Sequence, residues 1–277
     1  MTWILTFVER VRALLRPQVE VSVQLSEEDV ERLALEARIR ESAVYLDSMK
    51  GIHAGKRGFV IGNGPSLSMS DLDLLQNEIC IASNKIYLAF ERTKWRPTVF
   101  TVVDDLIWQR AATELHHHVP RVLIPSYLKL QPAVEVEVVT VRNLGNAADT
   151  EEGGVIPFSP DAGKGMYGGY TVTYENLQLA VHMGLNPIYL LGCDHFYEGA
   201  IGAEGDAPVS TDGKRNHFLP NYTAPGDQNN PALVTKMTKS YKWARHYADL
   251  HGVKIFNATR GGHLEVFQRI DLDTVIG

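Results

Sequence analysis

The chain is poor in the features that announce most function classes. It has two cysteines in 277 residues. Cys80 and Cys193 each lie in an apolar run, so they read as buried thiols, without a disulfide framework and in a reducing compartment. No apolar run approaches the ~20 residues of a membrane-spanning helix. The N-terminus lacks the small-residue cleavage site of a secretory signal, so a cytoplasmic location is expected. Basic residues are outnumbered by acidic ones, 27 to 33, for a net charge of −6. That argues against nucleic acid as a partner, because such domains carry a basic excess. Neither HExxH nor a CxxC pair occurs, so no zinc centre and no resident metal are expected. His116-His117-His118 are consecutive and do not face one site. A G-x-G-x-x-G fingerprint and a P-loop lysine are missing too, and no G-x-S-x-G surrounds Ser66. There is no internal repeat.

What is present is enough for one large α/β domain with an appendage: 44% of the residues are hydrophobic,. The most informative stretch is Gly58-Phe59-Val60-Ile61-Gly62-Asn63-Gly64-Pro65-Ser66-Leu67. A short apolar run stops at a Gly-rich turn, and Ser68-Met69-Ser70-Asp71 reads as a helix entry. At such a strand–loop–helix junction, bare N–H groups and the helix dipole favour an anion. Gly62 and Gly64 are read as permitting positive φ or close approach of a ligand, and Pro65 as suiting a first helical turn. A plain strand-to-helix turn is the simpler reading.

Further apolar runs at 78–84, 98–105, 121–126, 134–141, 187–194 and 253–259 read as strands, with helices at 171–183 and 233–250. The expected fold is therefore a Rossmann-like, mostly parallel sheet with helices on both faces. The Gly- and Pro-rich segment 145–170 reads as a functional loop, and the polar segment 198–232 as a lid or binding loop. Ahead of this lies a helical extension. Residues 3–16 form a basic amphipathic pattern, which suits an anionic membrane surface or packing on the domain or a second copy of the chain. Ser26-Glu27-Glu28-Asp29 starts a second helix running to about Lys50. The division is residues 1–50 as helical extension and 51–277 as catalytic domain.

Five strand ends carry polar residues: Asn63, Asn84, Asp104/Asp105, Asp194 and Asn257. Ligands of open parallel sheets sit at those ends, so a polar pocket is expected there. Asn63 and Asn84 can donate to and accept from a ribose or a base edge, or cap helices. Asp104 and Asp105 can hold Mg²⁺ against nucleotide phosphates, accept from sugar hydroxyls, or serve as one cap and one solvated carboxylate. Gly168-Gly169-Tyr170-Thr171 precedes a helix whose amides can cradle an anion, with Tyr167 and Tyr170 as phenolic donors. His217, inside the long polar loop, titrates near neutrality and can act as a general base; a lone loop histidine is more often just solvated.

Several of these blocks together resemble two related families. They are Gly62-Asn63-Gly64-Pro65-Ser66-Leu67, Ser83-Asn84-Lys85-Ile86-Tyr87, the Gly-Gly turn before Thr171, and Ile188-Tyr189-Leu190-Leu191-Gly192-Cys193-Asp194-His195-Phe196-Tyr197. One family is the bacterial lipooligosaccharide sialyltransferases of glycosyltransferase family 42. The other holds motility accessory factors and 6-hydroxymethylpterin pyrophosphokinase-like proteins, whose C-terminal signature is similar to Asn257-Ala258-Thr259 with Gly261-Gly262. The resemblance covers about residues 57–270. It implies a nucleotide-sugar transferase fold in which Asn63 and Asn84 contact a CMP moiety and Gly168 to Thr171 the phosphate. It also implies that Tyr197 and Tyr222 stabilise the departing phosphate and that His217 is the base, although Asn221 stands where the sialyltransferase base would fall. The expected function is an inverting glycosyltransferase using a CMP-activated, sialic acid-like sugar. Its acceptor would be a glycan or glycolipid, as in lipopolysaccharide biosynthesis at the inner membrane face, with no cofactor beyond the donor. The alternative is a pyrophosphokinase on a hydroxymethylpterin-like substrate, with Mg²⁺ and ATP held by Asp104 and Asp105, which stand where the sialyltransferases carry asparagine. The second alternative is a non-catalytic nucleotide-binding scaffold.

Overall fold

A computed structural model describes residues 25–131, 133–151 and 153–277. The amphipathic pattern at 3–16 lies outside them. The first described helix, α1 (Glu27–Met49), starts where the Ser26 signal put it. Ser26 Oγ accepts from Asp29 N at 3.1 Å, and the Asp29 carboxylate accepts from the Ser26 amide, which closes a capping box,.

The centre is one eight-stranded sheet, and every pairing in it is parallel. In chain order its strands are β1 (Gly58–Ile61), β2 (Cys80–Ser83), β3 (Val99–Thr101), β4 (Arg121–Pro125), β5 (Glu137–Val141), β8 (Ile188–Leu191), β11 (Ile255–Asn257) and β12 (Gln268–Arg269). All seven strands expected from the sequence are in it. β12 has no signal in the sequence, because two residues show no period. The spatial order is β12-β11-β8-β1-β2-β3-β4-β5. The chain builds outward from β1 to β5, then returns to β8 and builds the other way. The reversal falls between β1 and β8, and that is where such sheets open a ligand crevice.

Helices cover both faces, because a sheet buried on both sides needs apolar residues at successive positions. Val60, Ile81, Val99 and Leu123 point into one layer with α4 (Val172–His182) and α5 (Val234–His251). Phe59, Cys80, Phe100 and Val122 point into the other. There they meet α2 (Met69–Leu74), α3 (Asp105–Ala111) and the wholly buried Trp95 and Trp108. Each such side chain contributes roughly 1.5–3 kcal/mol by leaving water.

The half of α1 nearer the sheet is built in: Leu46 and Met49 join the first core layer. Ser42 Oγ accepts the Thr140 amide of edge strand β5 at 2.8 Å, and Arg142 pairs with Glu36 through two hydrogen bonds. An edge amide left bare would be a template for another chain, so α1 closes that edge.

The segment read as loop 145–170 contains parallel strand β7 (Met166–Gly168), paired with β6 (Asn143–Asn146). The polar segment 198–232 holds an antiparallel ribbon of β9 (Val209–Ser210) and β10 (Gln228–Asn229). A short helix, α6 (Leu272–Ile276), ends the chain. Among the described residues no helix is long and apolar enough to cross a membrane.

Candidate functional site

At the reversal point the ends of β1 and β8 nearly touch. Gly64 N donates to Gly192 O at 2.8 Å, and Gly62 N to Leu191 O at 2.8 Å. A Cβ on Gly62 would strike Gly192 O, and one on Gly64 would strike the Asp194 carboxylate. Neither glycine has positive φ. They are glycines because one strand end crosses the other, which corrects the expectation of positive φ; both still line the cavity.

Asp194 then takes the place expected for a phosphate. Its Oδ1 accepts from Ser66 N at 3.2 Å and its Oδ2 from Ser66 Oγ at 2.8 Å. Burial pushes the Asp194 carboxyl up, and the Ser66 bonds oppose that. The following helix α2 is closed by its own Ser68–Asp71 capping box. So the Gly-rich turn offers no bare helix end. Pro65 and Ser66 lie outside the cavity; Gly62, Asn63, Gly64 and Asp194 line it.

The cavity, about 760 Å³, spreads from that crossing over the ends of β2 and β3 to the start of α4. Asn84 and the pair Asp104–Asp105 line it. Asn257 does not: its side chain is buried, donating to Leu264 O and accepting from Thr259 N. Asn63 Nδ2 donates to Ser83 O at 3.1 Å, which fixes the amide's orientation and leaves Oδ1 buried with no partner. Asn84 Oδ1 and Asn146 Oδ1 are likewise buried and unpartnered. Buried polar atoms normally have partners, so three bare amide oxygens on one cavity ask for a ligand with donors.

Backbone strain points to the same cavity. Among the described residues three non-glycines have left-handed φ: Asn84 at 57°, Tyr170 at 57° and His195 at 54°. All three line the cavity. Such conformations cost about 1–3 kcal/mol each and collect at functional sites.

Gly168, Gly169, Tyr170 and Thr171 bring the start of α4 to the cavity wall. Thr171 caps the helix, accepting from Thr173 N at 3.4 Å. The helix dipole makes this the cavity's anion-favouring end. The Tyr170 hydroxyl is not a free phosphate donor. It lies 3.0 Å from both an Asp149 and a Glu204 carboxylate oxygen and accepts from Lys236 Nζ at 3.0 Å. Tyr167 is not part of the lining.

Asp104 caps α3, its Oδ1 accepting from Ile107 N at 2.8 Å. Asn230 Nδ2, from the long loop, donates to Asp104 Oδ2 at 3.3 Å and Asp105 Oδ1 at 2.8 Å. Burial pushes the Asp104 carboxyl up. Among the described residues no group of three His, Cys, Asp or Glu side chains is arranged to hold a metal ion.

The long loop is pinned over the Gly turn: Phe218 N donates to Asn63 O at 3.0 Å, and Lys85 Nζ to Tyr222 O at 2.9 Å. His217 and Tyr222 stack at 3.8 Å and 9°, and both line the cavity. Burial, helped by the Lys85 charge, pushes His217 down to about 4. It is therefore neutral at pH 7 and a weak base. Tyr197 also lines the cavity, and burial raises its phenol, as it does that of Tyr222.

Of the cavity residues that the sequence does not point to, His195 and Glu175 carry the most chemistry. His195 Nε2 donates to Thr238 Oγ1 at 2.8 Å; the tautomer follows because that hydroxyl gives its own proton to Val234 O. Its Nδ1 is left buried without a partner. Glu175, in the first turn of α4, is 6% exposed and lines the cavity. Burial pushes it up to about 8. A signal for it existed: Glu175 is the one carboxylate in residues 171–183.

Charge sums these details. Six carboxyls line the cavity, those of Asp104, Asp105, Glu175, Asp194, Glu204 and Asp206, and no lysine or arginine does so among the described residues.

Fold and site together define a doubly wound parallel α/β protein with a polar ligand cavity at its topological switch point. The chain belongs to the MptE-like family, described as 6-hydroxymethylpterin diphosphokinase MptE-like, whose model matches residues 35–200, more than half of its length. The match takes in the Gly turn, Asn84, the aspartate pair, Glu175 and Asp194, and stops short of His217 and Tyr222. No curated protein matches the chain.

Proposed function

We propose that this protein is a magnesium-nucleotide-dependent transferase. It moves a diphosphoryl group from a nucleoside triphosphate to a hydroxymethyl group on a pterin-like ring. The observation that carries this reading is the cavity's acidic lining: six carboxyls face it, Glu175 in its neutral form and Glu204 paired with Lys236, and among the described residues no lysine or arginine does. A bare triphosphate entering there meets like charge, whereas a magnesium complex brings its own neutralisation. The family description names the same chemistry.

The donor set suits a magnesium carried in by phosphates. Such an ion asks the protein for one or two carboxylates, and Asp104 and Asp105, adjacent and bridged by the Asn230 amide with Asp104 Oδ1 also capping α3, are the pair that would supply them. The start of α4 favours the phosphate charge from the other side. In the transfer, the acceptor hydroxyl oxygen bonds to the β-phosphorus, and the bond from that phosphorus to the bridging α-oxygen breaks. Nucleoside monophosphate leaves, and the hydroxyl proton passes to a base. Neutral His217 has the free lone pair for it.

A second reading, transfer of a CMP-activated sugar, is favoured by one observation: His217 and Tyr222 line the same cavity as Asn63 and Asn84. It needs no metal. A thermal-shift series with CMP, CDP, UDP, GDP and ATP, with and without Mg²⁺, separates the two, because a ligand of the native state raises its melting temperature. A shift with ATP only when Mg²⁺ is present supports the proposal. A metal-independent shift with CMP sinks it in favour of the second reading.

A further inference from the structure

We propose that Glu175 selects the acceptor substrate, its carboxylate pairing with two adjacent N–H donors on the edge of a planar, amino-substituted heterocycle. This rests on the diphosphoryl-transfer reading and extends it to a specificity-determining residue.

Three observations lead there. Glu175 is 6% exposed, yet it forms part of the cavity wall, and burial alone acts on its carboxyl with no hydrogen bond to oppose it. A buried carboxyl without a partner costs stability. The residue lies in the first turn of α4, where the helix dipole favours a carboxylate once something compensates its burial,.

The second observation is the excess of acceptors. Asn63 Oδ1, Asn84 Oδ1 and Asn146 Oδ1 are buried at the same cavity without donors. For Asn63 the Ser83 carbonyl fixes this orientation. A cavity lined by unpaired acceptors is complementary to a ligand rich in N–H groups. Two parallel N–H···O bonds to one carboxylate are the strongest arrangement such a ligand can make.

The third concerns protonation. The titratable group that feels the Glu175 charge is Tyr127, beside which Asp104 and Asp105 also lie. Tyr127 gives its proton to Val103 O at 2.9 Å, so it does not serve Glu175. With no cation facing it among the described residues, the acid holds its proton up to about pH 8 in the free protein. Pairing with two donors drives that proton off, so binding near neutrality releases it.

The test uses the whole chain and calorimetric titration with 6-hydroxymethylpterin and with the analogue whose 2-amino group is replaced by oxo. Both are run at pH 7 in two buffers of different ionisation enthalpy, on wild type and on Glu175→Gln. Mg-ATP is titrated separately into each. The wild type is expected to bind the amino compound at least about tenfold tighter than the oxo compound, the scale of a charged hydrogen bond. That binding releases close to one proton. Glu175→Gln is expected to lose both the preference and the proton release while holding Mg-ATP as wild type does. A wild type that binds the two heterocycles equally, or neither, overturns the proposal; so does a variant that keeps the preference, or binding without proton release. If Mg-ATP binds and the heterocycles do not, the inference about Glu175 falls and the nucleotide reading stands. If Mg-ATP fails as well, both fall.

Discussion

Asp194 accepts both the amide and the hydroxyl of Ser66, at 3.2 and 2.8 Å, across 128 residues of chain. An internal carboxylate thus occupies the turn that would otherwise receive an anion, and it ties β1 to β8 at the reversal point of the sheet. Gly64 leaves the room for it.

Gly64→Ala should therefore destabilise by about 1–3 kcal/mol, as over-packing does. Asp194→Ala should also destabilise, through the lost charged hydrogen bonds, by about 1.5–3 kcal/mol. Because the new methyl of the first variant meets the side chain removed in the second, the double variant should be less destabilised than the sum. A denaturant-unfolding cycle measures the coupling, and strict additivity would mean that the two residues do not clash.

Asp105→Ala should weaken Mg-ATP by about tenfold or more, the equivalent of about 1.4 kcal/mol, and leave metal-free nucleotide binding unchanged or slightly improved. Titration with and without EDTA reads this. Equal weakening in both conditions would show a structural role only.

Stability should depend on pH through Glu175. Its folded value, about 8, lies above the ordinary glutamate range. Between those two values the native state binds more protons than the unfolded chain. Stability is then fully present below the unfolded value and falls as pH rises toward 8, by an amount on the order of 5 kcal/mol at most. Glu175→Gln should flatten that decline. Melting temperatures from pH 5 to 9 on both proteins check it.

His217 works in the opposite direction. Its folded value, about 4, lies below the ordinary histidine value of 6.5. The stability it contributes is present above pH 6.5 and is lost as pH falls through 4. If His217 also takes the acceptor proton, His217→Ala should lower turnover by about 10²–10⁴ with little effect on Mg-ATP affinity. Unchanged turnover removes it from the chemistry.

Lys236 joins Asp149, Glu204 and Tyr170, and so fastens the long loop to the start of α4. The group is largely exposed, so Lys236→Ala should cost less than about 1 kcal/mol in global stability. Its effect should instead be local: faster amide exchange in residues 198–232. Unaltered exchange there would show that the loop's other contacts, with Asn63, Lys85, Asp104 and Asp105, hold it without Lys236.

The fold was legible because its signals are local. Apolar runs such as Phe59-Val60-Ile61 and Ile188-Tyr189-Leu190-Leu191 mark buried parallel strands by composition alone, and the Ser26 box marks a helix start. The two-residue strands β9, β10 and β12 carry no period, and β6 and β7 lie in a Gly-rich stretch whose strand character comes from the Arg142 and Asn143 contacts with Met166.

The site was legible only as a list of strand ends. Sequence by itself determined that Asn63, Asn84, Asp104, Asp105 and Asp194 would share one edge of a parallel sheet, because connection handedness leaves little choice. Tertiary structure alone decided what each does there. Ser66 is spent on Asp194, the Tyr170 hydroxyl on a rim ion cluster, and Asn257 on its own turn. It also decided that Glu175 faces the cavity and that no lysine or arginine among the described residues does. Which polar groups pair and which stay bare depends on distances between segments more than a hundred residues apart. Composition and spacing carry no record of those distances.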